Sequence, residues 1–260
     1  MNLLRKFLTH PALKGVDIDD PQTTVLRRSI IKDNRFLRQI YGSWYEYLMY
    51  QIPGDAWGIL ELGSGGGFLG EVKPALISSE VFFCPHIRII LDGQILPFGR
   101  GELTGIVMTN VLHHIPNVRM FFTEAARSVR PGGIVAMIEP WITPWAKWVY
   151  RHLHHEPFNP EATTWDFPAS GPLSAANGAL PWIVFERDRV VFETDFPEWQ
   201  IQAIQPIMPF SYLVSGGVSM RQLMPSWSFP IWRGLEKTLN PWMSSIAMFA
   251  YIRLQRSTGI

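Results

Sequence analysis

The sequence predicts an α/β fold in which a mostly parallel sheet is covered by helices on both faces. Three observations predict it. Short apolar runs alternate along the chain with segments of helical spacing, and these runs are apolar throughout instead of alternating with polar residues. A glycine-rich turn also follows the first of the runs directly, at the point where an open parallel sheet binds its ligand.

Seven strands are predicted, over residues 57–62, 75–81, 87–91, 104–111, 133–139, 199–205 and 246–254. A long helix is predicted over 24–50, where apolar residues recur at helical spacing. Thr23 or Thr24 should cap its start, and Pro53-Gly54 should end it. A second helix precedes Pro131-Gly132-Gly133, which should stop it.

Composition excludes several classes of protein. The chain of 260 residues is 47% hydrophobic and 17% charged, which is typical of a globular protein with a large core. A net charge of +1 offers no basic field, so no nucleic-acid partner is expected. The single cysteine, Cys84, excludes an internal disulfide, and no secretory signal or membrane-spanning run is visible, so we expect a cytoplasmic protein.

The glycine-rich turn is the stretch ELGSGGGFLG, residues 61–70. Gly63, Gly65 and Gly67 form a G-x-G-x-G pattern, in which the missing side chains permit left-handed backbone and the close approach of a ligand. A plain tight connection is one alternative. A nicotinamide-binding turn is another, but its G-x-G-x-x-G fingerprint would need glycine at the position of Phe68.

Polar side chains follow the next predicted strands at the same edge of the sheet. Glu80 closes the second strand, where a carboxylate can accept hydrogen bonds from both hydroxyls of a ribose. Asp92 closes the third strand, within LDGQILPF, where a carboxylate can accept from an adenine amine. The stretch TNVLHHI closes the fourth strand. Suitable groups at three successive strand ends favour a ligand site over a bare turn.

The set ELGSGGGF, LDGQILPF, NVLHHI and RPGGIVAMIEP resembles the class I S-adenosylmethionine-dependent methyltransferases of the small-molecule type. The resemblance covers about residues 55–140 and the two terminal strands. It implies a Rossmann-like, mostly parallel sheet of seven strands in the order 3-2-1-4-5-7-6, with an antiparallel last strand. It also implies the cofactor S-adenosylmethionine. The residues that it assigns to this cofactor are Glu61, Gly63, Gly65 and Gly67 for the methionine part, Ser64 in the same turn, Glu80 for the ribose, Asp92 and Gln94 for the adenine, and Asn110 near the sulfonium.

We predict one methyltransferase domain with four parts. These are a helical N-terminal lid over 1–54, a cofactor-binding core over 55–140, an aromatic-rich cap insertion over 141–197, and C-terminal strands with a substrate-side loop and helix over 198–260. Seven of the eleven tryptophans lie between Trp141 and Trp227, which favours a small apolar or amphipathic acceptor. The tryptophans of PWITPWAKWVY also leave contact with a membrane surface or a lipid open.

The stretch YRHLHHEPFNP, residues 150–160, is the second unusual feature. If it is helical, His152, His155 and Glu156 share one face. A structural role, metal binding and acceptor handling are then possible, and no metal site is expected because ligands on one short turn cannot easily surround an ion. We predict His154 or His155 as a general base or acceptor-orienting group.

His114, together with His113, competes for that role because it follows the fourth strand. The predicted function is therefore methyl transfer to a small acceptor. Two alternatives stay open, namely a non-catalytic binding module that keeps the fold and an NAD(P)-dependent oxidoreductase.

Overall fold

The computed structural model describes residues 7–50, 52, 57–154 and 156–258. Within them a seven-stranded sheet has the order β3-β2-β1-β4-β5-β7-β6. Strands β1 to β5 are parallel, and β7 runs antiparallel to both of its neighbours. The strands are β1 Ile59–Leu62, β2 Ile77–Glu80, β3 Ile89–Ile90, β4 Leu103–Thr109, β5 Val129–Pro140, β6 Trp199–Ile207 and β7 Phe249–Arg256. The predicted fold class is confirmed, including the strand order and the antiparallel last strand.

The α-helices are α1 Pro21–Asp33, α2 Arg35–Met49, α3 Leu69–Val72, α4 Val118–Ser128, α5 Pro144–His152, α6 Leu180–Trp182, α7 Arg189–Asp195, α8 Ser211–Ser215, α9 Phe229–Thr238 and α10 Met243–Ile246. Shorter helical turns are Pro11–Leu13, Leu112–His114, Ser226–Ser228, Asn240–Trp242 and the π-helical turn Ile183–Arg187. None of the described helices has the length and apolar character needed to cross a membrane.

Two apolar cores lie on opposite faces of the sheet, because successive residues of a strand point to opposite sides. Leu60 and Ile106 pack on one face, in the core that also holds α4 and residues 180–196. Their neighbours Ile59 and Val107 pack on the other face, against α1, α2 and α5. Burial on both faces explains why the strands read as continuous apolar runs.

The single helix predicted over 24–50 is wrong, because the chain forms two helices that meet at Asn34. The Asn34 side chain accepts a hydrogen bond from the Leu37 backbone and so caps α2. The start of α1 is capped by Asp20, which accepts from Gln22, and not by the predicted threonines. Both helices bury apolar residues in the same core, so helical spacing alone does not reveal the break. The predicted stop at Pro53-Gly54 lies outside the described residues.

Pro131-Gly132-Gly133 does not stop a helix. Helix α4 ends at Ser128, and the three residues lie inside β5. The pairing of β5 with β4 slips there, and Gly132 has a φ of 78°. These residues therefore form an irregularity in the strand, which glycine permits. The predicted strand ends otherwise differ by a few residues, and the second and third strands are shortened most.

Candidate active site

A cavity of about 570 Å³ lies at the carboxyl ends of the parallel strands. This is the size of ordinary small-molecule sites. Its lining includes all of the residues that the sequence assigns to the cofactor, namely Glu61, Gly63, Ser64, Gly65, Gly67, Glu80, Asp92, Gln94 and Asn110. The catalytic candidates His114 and His154 line the same cavity, whereas His155 lies outside the described residues. The structure thus brings the sequence-predicted residues together at one place.

The three glycines of the turn meet different surroundings. A Cβ at Gly63 would lie 2.6 Å from Val111 Cγ2, and one at Gly67 would lie 2.8 Å from Tyr45 Oη, so protein packing excludes side chains at both positions. At Gly65 the nearest atoms to such a Cβ are 3.7 Å away, although its φ of 51° is left-handed. Gly65 lines the cavity, and a Cβ at this position would make only ordinary van der Waals contacts with the protein.

Glu61 is a buried carboxyl at the end of β1. Ser64 Oγ donates a hydrogen bond of 2.8 Å to its Oε2. Burial raises the pKa of Glu61 to about 7, against the opposing effects of the Ser64 hydrogen bond and the Arg28 charge. A buried carboxyl of this kind is stabilised in its ionised form by a cationic group of a ligand.

Glu80 ties the end of β2 to the glycine turn. Its Oε2 accepts a hydrogen bond of 2.9 Å from the backbone nitrogen of Gly65, and its Oε1 accepts one of 2.9 Å from Val81. Burial raises the pKa of Glu80, whereas these two hydrogen bonds oppose the shift. The side chain predicted to hold the ribose therefore also fixes the conformation of the turn.

Asp92 and Gln94 hold each other in a turn after β3. Asp92 is exposed, and its Oδ1 accepts hydrogen bonds from the Gln94 backbone at 2.8 Å and from Gln94 Nε2 at 3.1 Å. Gln94 Oε1 in turn accepts from the backbone of Asn117 at 3.1 Å. The pair thus presents an oriented carboxylate at the cavity edge.

Asn110 follows β4 in the left-handed region, with a φ of 56°. Its Oδ1 is buried and has no hydrogen-bond partner among the described residues, and the same holds for Thr109 Oγ1. A buried acceptor without a partner costs about 1–3 kcal/mol, so this wall of the cavity favours a ligand that brings a donor. These orphaned atoms fit a polar cofactor at the predicted place.

Four side chains form a histidine–glutamate cluster beside this wall: His113, His114, Glu139 and Glu156. His113 is buried, with Nδ1 2.7 Å from Glu139 Oε2 and Nε2 3.4 Å from Glu156 Oε2. The other oxygen of Glu139 accepts hydrogen bonds from the backbones of Val111 and Leu112, at 2.7 and 2.8 Å. Glu139 therefore fixes both the ring of His113 and the turn that carries it.

His114 is held by a different partner. Its Nδ1 lies 3.2 Å from the Ala175 carbonyl oxygen, which can only accept, so Nδ1 carries a proton. Its Nε2 lies 3.9 Å from Glu156 Oε1. The Glu156 backbone nitrogen donates to His154 Nδ1 at 3.3 Å, and His154 remains partly exposed at the cavity wall.

The two adjacent histidines are shifted in opposite directions. Burial alone would lower the pKa of His113, but the hydrogen bonds and charges of Glu139 and Glu156 outweigh it and raise the pKa to about 9. Burial and the nearby charge of His113 lower the pKa of His114 to about 4. Burial would raise the pKa of Glu156, but the charges of the histidines hold it well below its usual value. Opposed shifts in one pocket are typical of functional sites.

The helical face predicted for 150–160 is wrong. Helix α5 ends at His152, whose ring stacks on Trp148 at 5.2 Å and is exposed. The chain then leaves helical geometry, and Glu156 turns into the cavity. Sequence reasoning treated His113 only as a competitor and missed Glu139. The signal for Glu139 is a lone charged residue at the end of an apolar strand.

Residues 78–137 match a family model described as a methyltransferase domain. A search of curated protein sequences finds no significant match. Geranyl diphosphate C-methyltransferase from Streptomyces coelicolor A3(2) is 12% identical in a match covering 96% of this chain and 89% of that one, with a TM-score of 0.49. An S-adenosylmethionine-dependent methyltransferase from Mesorhizobium loti is 13% identical, over 78% and 93% of the chains, with a TM-score of 0.44. The [4+2]-cyclase SpnF is 11% identical, over 84% and 81%, with a TM-score of 0.46. These are likenesses of the chain path and do not identify a substrate.

The fold and the matched segment agree with the predicted class of protein. A methyltransferase-domain model matches residues 78–137, and the sheet has the strand order 3-2-1-4-5-7-6 that the resemblance implies. Within that class, the matched segment runs from β2 to β5, which contains Glu80, Asp92, Asn110 and both histidines of the cluster. The predicted cofactor, S-adenosylmethionine, is that of the superfamily.

Proposed function

We propose that this protein transfers a methyl group from S-adenosylmethionine to a small apolar or amphipathic acceptor. The observation that carries the proposal is the shared cavity. The residues assigned to the cofactor and the histidine–glutamate cluster line the same space of about 570 Å³. Because S-adenosylmethionine and the acceptor would share this cavity, its volume favours a small acceptor.

The cofactor side of the cavity consists of residues 61–67 with Glu80, Asp92, Gln94 and Asn110. Glu61, Ser64 and the glycine turn would hold the methionine part, Glu80 the ribose, and Asp92 with Gln94 the adenine. Bound S-adenosylmethionine supplies a methyl group that is already activated by its positive sulfur. The chain therefore has to bind, orient and exclude water, and needs no strong acid or base.

The acceptor side is predominantly apolar. Helices α1 and α2, α5 with the residue after it, and the 212–220 segment contribute an apolar lining that also carries tyrosine hydroxyls. Its members include Ile31, Tyr41, Val149, Tyr150, Leu153, Tyr212, Leu213, Val218 and Met220. Apolar walls with a few polar groups suit an amphipathic acceptor. The histidine–glutamate cluster and His154 would receive its polar end, as a general base or by orienting a hydroxyl.

Calorimetric titration tests the cofactor half of the proposal. S-adenosylmethionine and S-adenosylhomocysteine should both bind, because most of their proposed contacts are common to the two. NADH should not bind. Heat from NADH alone would instead support the oxidoreductase alternative. Binding of S-adenosylmethionine without methyl transfer to any member of a panel of amphipathic alcohols, phenols and amines would support the non-catalytic module.

We also propose that the protein meets an anionic lipid surface through residues 221–242. This segment exposes a set of large apolar side chains, namely Leu223, Met224, Trp227, Ile231, Leu235 and Trp242. Its exposed charges, Arg221 and Lys237, are positive, and its acid, Glu236, is buried. Apolar side chains with tryptophan and cations at the same surface suit the interface of an anionic bilayer.

This surface differs from the one that the sequence indicated. In PWITPWAKWVY, Trp141 is buried and Trp145 donates a hydrogen bond of 3.1 Å to the Pro209 carbonyl oxygen. Only Trp148 of the three is exposed. The tryptophans of that stretch therefore pack mainly inside the protein, and the lipid proposal depends on residues 221–242.

Flotation with vesicles containing anionic phospholipid tests the lipid surface. The wild-type chain should float with the vesicles, and the double variant Trp227→Ser, Ile231→Ser should not. Trp57→Ser is the matched control, because Trp57 is 71% exposed outside this segment. Equal flotation of all three proteins, or none by the wild-type chain, would contradict the proposal.

A further inference from the structure

We infer that His113, His114 and Glu156 bind one divalent transition-metal ion, most suitably Zn²⁺, in the wall of the cavity. The inference deepens the proposed function, on which it depends for the acceptor, because the ion would lie where the acceptor's polar end is placed. Each of the three side chains offers one ligand atom, and these atoms lie within 4.8 Å of one another.

The three ligand atoms lie somewhat farther apart than in a finished zinc site. Zinc ligands lie about 2.0–2.1 Å from the metal, which places neighbouring ligand atoms ~3.3 Å apart in a tetrahedral site. The three ligand atoms here lie within 4.8 Å of one another; His113 Nε2 is 3.4 Å from Glu156 Oε2, and His114 Nε2 is 3.9 Å from the other carboxylate oxygen, Oε1. A rotation of the Glu156 carboxylate would let one of its oxygens face both nitrogens, and the site would contract around an ion.

In both histidines the ring nitrogen that points away from the proposed ion, Nδ1, has a hydrogen-bond partner of the kind found in metal sites. A metal-binding histidine usually donates its other N–H to a carboxylate or a backbone carbonyl, which fixes the tautomer and the ring orientation. His113 Nδ1 lies 2.7 Å from Glu139 Oε2, and His114 Nδ1 lies 3.2 Å from the Ala175 carbonyl oxygen. Nε2 of both rings faces Glu156, so an ion bound there would take the place of the proton between His113 Nε2 and the Glu156 carboxylate.

Glu139 is in turn rigidly held. It is fully buried, and its second oxygen accepts two backbone hydrogen bonds from Val111 and Leu112. A carboxylate satisfied in this way acts as an orienting group for His113 instead of as a ligand. The arrangement is a carboxylate–histidine pair that converges with a second histidine and a second carboxylate from a distant segment.

The donor set selects the kind of ion. Two imidazole nitrogens and one carboxylate suit zinc and its first-row neighbours, whereas Mg²⁺ and Ca²⁺ prefer oxygen ligands. Three protein ligands leave a fourth position open, as in catalytic zinc sites. An acceptor hydroxyl or phenol would bind there through its oxygen. Its O–H bond then breaks, the electron pair stays on oxygen, and the proton leaves to solvent.

Metal content and titration test the site. The chain is treated with chelator, loaded with Zn²⁺, dialysed and analysed by elemental analysis. Roughly one ion per chain should remain in the wild-type protein and in His152→Ala, the matched control with an exposed histidine. Glu156→Gln and His114→Ala should bind Zn²⁺ on the order of 100-fold more weakly, since each loses a ligand.

A variant at Glu139, which contacts His113 and not the ion, separates a metal site from an ordinary hydrogen-bond network. Glu139→Gln should weaken Zn²⁺ binding roughly 10- to 100-fold without removing a ligand. Co²⁺ added to the wild-type chain should give a visible spectrum typical of four-coordinate cobalt, which Zn²⁺ abolishes by competition. The Co²⁺ spectrum is recorded on the wild-type chain, so it tests the metal site even if a variant fails to fold.

The outcomes are distinguishable from those of the proposed function. Retained S-adenosylhomocysteine binding with no uptake of Zn²⁺ or Co²⁺ by the wild-type chain would overturn the metal site and leave methyl transfer standing. Equal Zn²⁺ affinity in the wild-type chain, Glu156→Gln and His114→Ala would overturn it as well. Metal uptake without S-adenosylhomocysteine binding would instead overturn the proposed function.

Discussion

The cofactor side of the cavity and the histidine–glutamate cluster are built in different ways. The cofactor side uses short segments, a glycine turn and single residues at strand ends, and its hydrogen bonds are largely to backbone. The cluster gathers charged and titratable side chains from residues 113–114, 139 and 156, fixed by long-range contacts. The first kind of site is visible in sequence as local patterns, and the second becomes visible only once the chain has folded.

The largest expected effect is at Gly65. In Gly65→Val the added methyl groups enter the cavity, so S-adenosylmethionine affinity should fall by roughly 100-fold or more. The left-handed backbone adds a folding cost of about 1–2 kcal/mol. Gly65→Ala carries similar strain with less bulk and should keep more of the affinity. Calorimetry and thermal melting measure the two effects separately.

Gly63→Val provides the contrasting result. Its Cβ would meet Val111 at 2.6 Å, so the variant should lose thermal stability more than Gly65→Val does. If Gly65→Val binds S-adenosylmethionine as tightly as the wild-type chain, the cofactor side is wrongly assigned.

The second-largest effect is expected on turnover, in His154→Ala. In His154→Ala, cofactor affinity should be unchanged, and turnover of an acceptor that the wild-type chain methylates should fall roughly 100-fold, as losses of general bases usually do. Formation of S-adenosylhomocysteine measures turnover. His152→Ala is the control and should keep full activity. Joint loss of melting temperature, cofactor affinity and turnover in His154→Ala would show a structural role, and normal turnover would leave His114 as the candidate.

A smaller effect is expected at Asp92. In Asp92→Ala the affinity for S-adenosylmethionine should fall by roughly tenfold, because one hydrogen bond of a charged group to a ligand is worth about 1.5–3 kcal/mol and the carboxylate is exposed. Asp92→Asn should recover part of the loss. A drop in melting temperature without any change in affinity would move Asp92 from the cofactor side to the structural turn that it forms with Gln94.

At neutral pH the smallest effect is expected from the protonation of Glu61. Its pKa is about 7 in the folded chain, against an ordinary value of 4.5, so its carboxyl holds a proton more tightly when folded. The contribution of this proton to the free energy of unfolding is fully present below pH 4.5 and is lost as the pH rises towards 7. The affinity for S-adenosylmethionine should change with pH in the opposite direction. Its ammonium group would pair with the ionised form of Glu61, which becomes more abundant as the pH rises.

Affinity for S-adenosylmethionine should therefore be constant above pH 7 and fall by up to about tenfold per unit below it. Titrations at several pH values measure this slope. Glu61→Gln should bind more weakly and show a flat profile between pH 5 and 7. A sloping profile of equal steepness in Glu61→Gln would assign the titration to another group.

Much of the fold could be predicted because its signals are local. Apolar runs and the glycine turn predict a mostly parallel sheet, and the resemblance to the methyltransferases implies its strand order. The break at Asn34 escaped prediction because α1 and α2 bury their apolar residues in one core and so preserve the helical period across it. Thr23 and Thr24 resemble caps, but Asp20 followed by Pro21 performs that role.

Local patterns were enough to single out the residues predicted for the cofactor, which line one cavity, whereas the partners of the histidines could not be found in this way. His113 meets Glu139 across 26 positions of sequence, and His114 meets Ala175 across 61. Glu156 was assigned to a helix that ends at His152, so its turn into the cavity depends on tertiary packing. Helix and strand periodicity relate only residues that are near in sequence, so neither predicts these contacts.

The position of β7 has a consequence for the order in which the protein is completed. Strand β7 is the last strand in the chain, but in the described sheet it lies between β5 and β6. During synthesis β6 emerges well before the only strand that it pairs with, while β5 presents an open edge until the same moment. Synthesis proceeds at about 5–20 residues per second, so two strand edges wait for several seconds. The nascent chain must keep these edges apart from other chains until residues 249–256 arrive and close the sheet from within.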